Sequence, residues 1–188
     1  MRKRTNRLQR ILAVDLLRSD GTAGKAFNFW KLVQTKMIIA HTMEYKGLAL
    51  PLSEWNLRNY RAVDYPAYSV TYNDCFFEMR QALGLHPVNC CDERSALLEK
   101  ADNIFILEVD GVLVGSVAIY GNEIDDLIVV RGYQRKGYGQ GLLRFAVARM
   151  QRQGVTPIRV HVADWNQAAM RLYSRNGFAV VGTEIVQT

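Results

Sequence analysis

The sequence predicts an α/β domain of the mixed α+β kind, one sheet flanked by helices, and three observations carry that expectation. Two β-rich runs flank Asp110-Gly111, a hairpin signal because both residues tolerate the positive φ such a turn needs. An apolar strand runs into a glycine-rich loop and then an amphipathic helix, the pattern of a crossover between strands. A later helix ends at Asn176-Gly177, a C-cap signal, and a strand follows directly. The 188 residues fit one domain on a prior of roughly 100–200 residues per domain. At 49% apolar and 22% charged, the composition is that of a globular chain. No run approaches the roughly 18 apolar residues a membrane helix needs.

Charge divides the chain in two. Residues 1–36 hold nine basic residues against two acids, Asp15 and Asp20, so this head carries +7 of a total of +6. The remainder, 37–188, is nearly neutral, which argues against a nucleic-acid-binding body. The head resembles a signal peptide in its basic start and its apolar Ile11–Leu17. Asp15 interrupts that core, however, and no small-residue cleavage site follows. Three readings stay open: translation starting at Met37 or Met43, a poorly ordered appendage, or a basic amphipathic helix that lies on an anionic surface. The expected division is a basic extension over 1–36 and a folded domain over 37–188.

From Tyr45 onward the elements follow in order. Lys46–Pro51 reads as an edge strand leading to an N-cap at Ser53. Ser53–Val63 and Asn73–Leu83 read as helices, the second closed by Gly84. The aromatic residues Trp55, Tyr60, Tyr65, Tyr68, Tyr72, Phe76 and Phe77 would pack a core, and some of the tyrosines would line an acceptor pocket. Asn103–Val109 and Val112–Tyr120 form the hairpin, and Glu123–Val130 adds a strand. A helix over Gly137–Gln153 buries Leu142, Leu143, Ala146, Val147 and Met150 and exposes its arginines. Pro157–Val162, a helix over Asn166–Arg175 and a strand over Phe178–Val186 complete the chain. The early strands should pair as a meander, with the last two helices as crossovers. Cys75, Cys90 and Cys91 show no metal-ligand spacing and read as free thiols of a reducing compartment, hence a cytoplasmic protein. No metal is implied.

Chemistry concentrates after the strand that ends near Val130. Gly137, Gly139 and Gly141 follow it, and a helix begins among them. Glycines let backbone N–H groups converge, and a helix N-terminus favours an anion, with Arg135 and Lys136 adding charge. Such a loop is either a phosphate cradle or an ordinary strand–turn–helix junction. A Walker A loop would need Gly-Lys followed by Ser or Thr, and a dinucleotide fingerprint would need G-x-G-x-x-G after the first strand; neither is present.

Gln134, Gly137 and Gly139 match the Q/R-x-x-G-x-G/A signature of the GNAT superfamily of acetyl-CoA-dependent N-acetyltransferases. Farther on, Asn166, Ala169, Leu172, Tyr173, Gly177 and Phe178 resemble its second signature, N-x-x-A-x-x-L-Y-x-x-x-G-F. The resemblance covers 103–188 firmly and extends back to about residue 45; Arg131 departs from it where many members carry Pro. It implies a GNAT-like acyl-CoA N-acyltransferase fold with a central mixed, twisted sheet. It also implies acetyl-CoA as co-substrate. The backbone of Leu127, Ile128 and Val129 would hold the pantetheine arm. Amides over Arg135, Lys136, Gly137, Tyr138, Gly139 and Gln140, beside Gln134, would hold the pyrophosphate, and Asn166 and Tyr173 would contact the cofactor. Asn166 would also serve as a helix cap.

In that family a tyrosine at the position of Tyr173 protonates the departing thiolate; a core tyrosine is the alternative. Transfer to an amine needs a base, and Glu123 is the favoured one among Glu123, Asp125 and Asp126. Strand alternation puts Glu123 and Asp125 on one face and Asp126 on the other. His161, between two valines, reads as structural. The expected reaction is direct attack by a primary amine, small or on a peptide, in a ternary complex. The rival readings are a CoA-binding sensor without transfer and a nucleic-acid protein acting through the head. A homodimer stays open. Acids outnumber bases by two over 52–100, which would suit a cationic acceptor.

Overall fold

The computed structural model describes residues 37–51 and 55–187. All readings of the basic head concern residues outside the described ones. The described residues form one seven-stranded sheet: β1 (Met37–Tyr45), β2 (Arg58–Asn59), β3 (Ile104–Val109), β4 (Val112–Tyr120), β5 (Glu123–Val129), β6 (Arg159–Ala163) and β7 (Phe178–Gln187). Their spatial order is β2-β3-β4-β5-β6-β1-β7. Four helices flank the sheet: α1 (Tyr65–Leu83), α2 (Arg94–Leu98), α3 (Tyr138–Arg152) and α4 (Gln167–Arg175).

The expected meander is present, with β3, β4 and β5 antiparallel in turn. Its first turn has Asp110 at φ 52° and Gly111 at φ 76°, the left-handed pair a tight hairpin requires. α3 then crosses to β6, which runs parallel to β5. On one face of the sheet α3 buries Leu142, Leu143, Ala146 and Met150 against Val117, Ile119, Ile124 and Val160. On the other face, Tyr60, Tyr68 and Tyr72 pack on Ile104, Ile106, Ala118 and Ile128. The aromatic cluster is therefore largely core. α1 starts earlier than expected, at Tyr65 with Pro66 in its first turn, and closes at Gly84 in the left-handed region as expected.

Two expectations are corrected, and one strand is added. Residues 55–63 contain no α-helix; β2 and a 3-10 turn at Ala62–Asp64 stand there instead. Long-range groups decide this: Arg58 clasps Asp64 through two hydrogen bonds of 2.7 Å, and β2 pairs with β3. Residues 46–51 are not an edge strand. They cross the outside of α3, where Gln151 satisfies their backbone by accepting from the Leu50 N–H and donating to the Leu48 carbonyl. The added strand is β1, which lies between β6 and β7, antiparallel to both, so that α4 is the crossover expected of it. A chain starting at Met43 would lack most of this inner strand, whereas one starting at Met37 keeps it.

Candidate active site

β5 and β6 are side by side at a single register position, Glu123 opposite Arg159, and diverge beyond it. The divergence coincides with a bulge in β5. The register with β4 shifts between Ser116 and Ala118, and Asp126 takes φ 47°, a left-handed conformation that Asp tolerates better than most residues. The bulge overturns the expected alternation. Asp126 is turned onto the α1 face, 4% exposed, and accepts a 2.9 Å hydrogen bond from the Tyr72 hydroxyl. The Asp125 carboxylate accepts from the Asp126 N–H at 2.8 Å.

Past the bulge, Val130 N–H donates to Val114 of β4 at 2.9 Å. By antiparallel alternation Ile128 also directs its backbone to β4, whereas Leu127 and Val129 direct theirs into the gap. Two of the three residues expected to hold a pantetheine arm thus face the gap; Ile128, 1% exposed, does not. The Val129 carbonyl already accepts from Gln134 Nε2 at 3.0 Å, so the Gln134 side chain ties the loop to the strand end.

That loop delivers the helix N-terminus. Arg135 at φ 64° and Gly137 at φ 89° turn the chain into α3. Gly137 is the N-cap and no side chain caps the helix. The Gly141 N–H is bonded to the Gly137 carbonyl at 3.0 Å, so the amides of Tyr138, Gly139 and Gln140 precede the first turn's hydrogen bonds. A Cβ on Gly137 would meet nothing within 4 Å, so the space beside this residue is open. Gly141 serves another purpose. Its missing Cβ is replaced by the Trp55 ring, which lies 2.2 Å from where that carbon would be. Trp55, Tyr138 and Tyr133 form a chain of rings at 5.7 and 5.8 Å, and Lys136 Nζ sits 5.4 Å from the Tyr133 ring centre. Sequence reading gave Trp55 to the core; G-x-G-x-G at a helix start was the signal that a large neighbour lies close.

Tyr173 is half-buried on α4, its ring 5.9 Å from Phe178. Burial pushes its phenol up to about 12, and the negative charge of Asp125 adds to the shift. Asn166, placed two turns earlier, accepts from the Ala169 N–H at 3.1 Å and so caps α4 as anticipated. Glu123 Oε1 is 3.3 Å from His161 Nε2, and His161 Nδ1 is 3.2 Å from the Thr42 hydroxyl. The geometry links three strands, β5, β6 and β1, on the α1 face. His161 was expected to be structural, and nothing local in the sequence could show that it meets Glu123. Asp125 was read only as a possible base, and its proximity to Tyr173 was likewise not legible.

The chain matches the Acetyltransferase (GNAT) family over residues 55–178 and belongs to that family. Among curated proteins it is 38% identical over 60 residues to the chloroplastic GCN5-related N-acetyltransferase 6 of Arabidopsis thaliana, covering 32% of this chain and 21% of that one. The match therefore spans about a fifth of that relative's length. Among solved structures, a GNAT-family protein of Novosphingobium aromaticivorans has a TM-score of 0.60 at 17% identity, covering 81% of this chain and 64% of the other. A Salmonella typhimurium protein solved with its cofactor acetyl-CoA has a TM-score of 0.54 at 19% identity, covering 69% and 82%. At these identities the likeness shows the fold. Among the described residues, no helix is long and apolar enough to cross a membrane.

Proposed function

We propose that this chain is an N-acetyltransferase that moves an acetyl group from acetyl-CoA to a primary amine by direct attack in a ternary complex, with 37–188 as its catalytic domain. The observation that carries the reading is the uncapped N-terminus of α3, open beside Gly137, next to a strand whose backbone faces a gap. A pyrophosphate suits the first feature, because amide donors and the helix dipole converge there. A pantetheine arm suits the second, because its amides would pair with Leu127 and Val129 as an added strand.

The thioester supplies the activated acetyl group. A backbone N–H near Leu127 stabilises the charge that develops on its oxygen. Glu123, oriented by His161, takes a proton from the acceptor amine directly or through water. Tyr173 holds its proton at working pH and gives it up as charge develops on sulfur. Asp125 and burial keep that phenol protonated until then. Asp125 and Glu123 together favour a cationic acceptor near the gap, a small amine or a peptide amine.

The test is release of free CoA thiol by the full chain with acetyl-CoA and a panel of primary amines and peptides. Amine-dependent release, lost in Tyr173→Phe and in Glu123→Gln, is expected. A chain that binds acetyl-CoA but releases no thiol with any acceptor would contradict transfer.

A further inference from the structure

β1 is an inner strand, yet its two faces differ at the end where the strand begins. On the α1 face Ile38 and Ala40 are buried in a cluster with Leu85 and Ala163. On the opposite face Met37 is 65% exposed and Ile39 44%. Ile185 of β7 stands opposite Ile39, hence on the same face of the pleat, and is 63% exposed. The Asp164 N–H donates to the Ile39 carbonyl at 2.8 Å, which brings alongside the turn carrying Trp165, 49% exposed. Farther along β1 the face turns polar. His41 Nε2 lies 2.9 Å from Asp164 Oδ1, and His41 Nδ1 lies 2.9 Å from the Thr183 hydroxyl. This trio bounds an apolar patch that the described residues leave bare. An inner strand that is buried on one face and carries exposed Met and Ile on the other marks a surface suited to being covered.

We propose that residues 27–33 of this chain cover the bare apolar face of β1 and β7, so that the segment before Met37 completes the domain. Phe27, Phe29, Trp30, Leu32 and Val33 make that segment apolar, with Asn28 and Lys31 between them. Gln34, Thr35 and Lys36 alone separate it from Met37. Four residue steps span at most about 14 Å. Met37 and Ile39 lie about 7 Å apart along the strand and Ile185 about 5 Å to the side, so the tether reaches the whole patch. A segment so tethered acts at an effective concentration of the millimolar order, enough for a small contact. A second copy fits less well, because a stable dimer engages roughly 20–30 residues on each side, far more than this patch presents. The face lies at the β7 edge of the sheet, so its covering does not depend on what the α3 N-terminus binds.

Limited trypsin digestion of the full chain, followed by mass spectrometry, reads cleavage after Lys31, inside the segment. A blocked peptide of residues 24–38 gives the rate for the same sequence without the sheet. Cleavage in the wild type is expected to be about tenfold slower than in the peptide or slower still, since the protease acts on the open form. In Met37→Asp/Ile185→Asp the protection should be lost, while circular dichroism shows that the sheet is kept. Phe27→Ser/Phe29→Ser alters no residue of the sheet and should lose protection equally, measured against a peptide with the same changes. Wild-type cleavage at the peptide's rate would overturn the proposal, as would protection that survives in both variants. Protection that grows with protein concentration, alongside a dimer mass in sedimentation, would give the face to a second copy and overturn it as well.

Discussion

Glu123 and His161 meet, 3.3 Å apart, next to the one register position at which β5 and β6 still run side by side. The carboxylate at the mouth of the gap is therefore held from the neighbouring strand, and Thr42 holds His161 in turn from β1. If Glu123 is the base, Glu123→Gln should lower kcat/KM by about a hundredfold or more at neutral pH. Acetyl-CoA affinity should not change. The deficit should narrow as pH rises through the acceptor's own pKa, since solvent then deprotonates the amine. Parallel pH–rate profiles for variant and wild type would contradict the role.

Tyr173 gives a prediction with a definite sign. Its phenol is raised by burial, and then by Asp125, to about 12, so it stays protonated across the working range. Tyr173→Phe should cost about a hundredfold in kcat with little effect on acetyl-CoA binding. The same shift acts on stability. The folded chain holds this proton more tightly than an unfolded tyrosine does, whose pKa is about 10. Its contribution is thus fully present below pH ~10 and is lost as pH rises toward the folded value. Tyr60 behaves alike, raised to about 12 by burial and then by the charge of Asp64. Chemical denaturation above pH 10 should show a shallower loss of stability in Tyr173→Phe than in wild type.

The contact between Trp55 and Gly141 can be tested by overpacking. A Cβ at position 141 would lie 2.2 Å from the indole, so Gly141→Ala must expel the ring. The expected cost is about 1–3 kcal/mol, with a red-shifted Trp fluorescence. In a Trp55→Ala background the same substitution should cost far less, because the obstacle is gone. Additivity of the two changes in a double-mutant cycle would show that the ring does not rest there.

The Arg58–Asp64 pair stands where a helix over Ser53–Val63 was expected. Asp64 is 7% exposed; burial pushes its carboxyl up, but the Arg58 hydrogen bonds and the Arg61 N–H together bring it below the usual value. Its stabilising effect is therefore present above the ordinary carboxylate pKa and is lost as pH falls through the depressed one. Arg58→Met leaves the buried carboxylate without its cation and should cost about 3 kcal/mol at pH 7. Acidification should then destabilise the variant less than the wild type, which urea titrations between pH 7 and 3 would reveal.

What the sequence made legible was local. The Asp110-Gly111 turn, the amphipathic α3 and the closure of α1 at Gly84 each follow from a few adjacent residues. The glycine loop and the Asn166 cap could be placed for the same reason. The position of β1 could not be read, because its pairing with β6 and β7 joins residues more than a hundred positions apart. The face of Asp126 was misread because a bulge breaks the two-residue period on which alternation rests. His161 was read by its valine neighbours, yet the residue that matters to it, Glu123, lies across a helical crossover. Local chemistry thus pointed to the proposed cradle, while the partners of the proposed acid and base groups came from the sheet order.

If the α3 N-terminus holds the pyrophosphate of acetyl-CoA, as proposed, calorimetric titration of acetyl-CoA into the full chain will register that contact. Gly137→Ala and Gly137→Glu serve as a pair. Both strain a backbone at φ 89°, but only the second places a negative charge in the cradle. Micromolar binding to wild type is expected, with somewhat weaker binding to the alanine variant and none to the glutamate variant when all three are folded. No binding to folded wild type, or equal binding to all three, would contradict it.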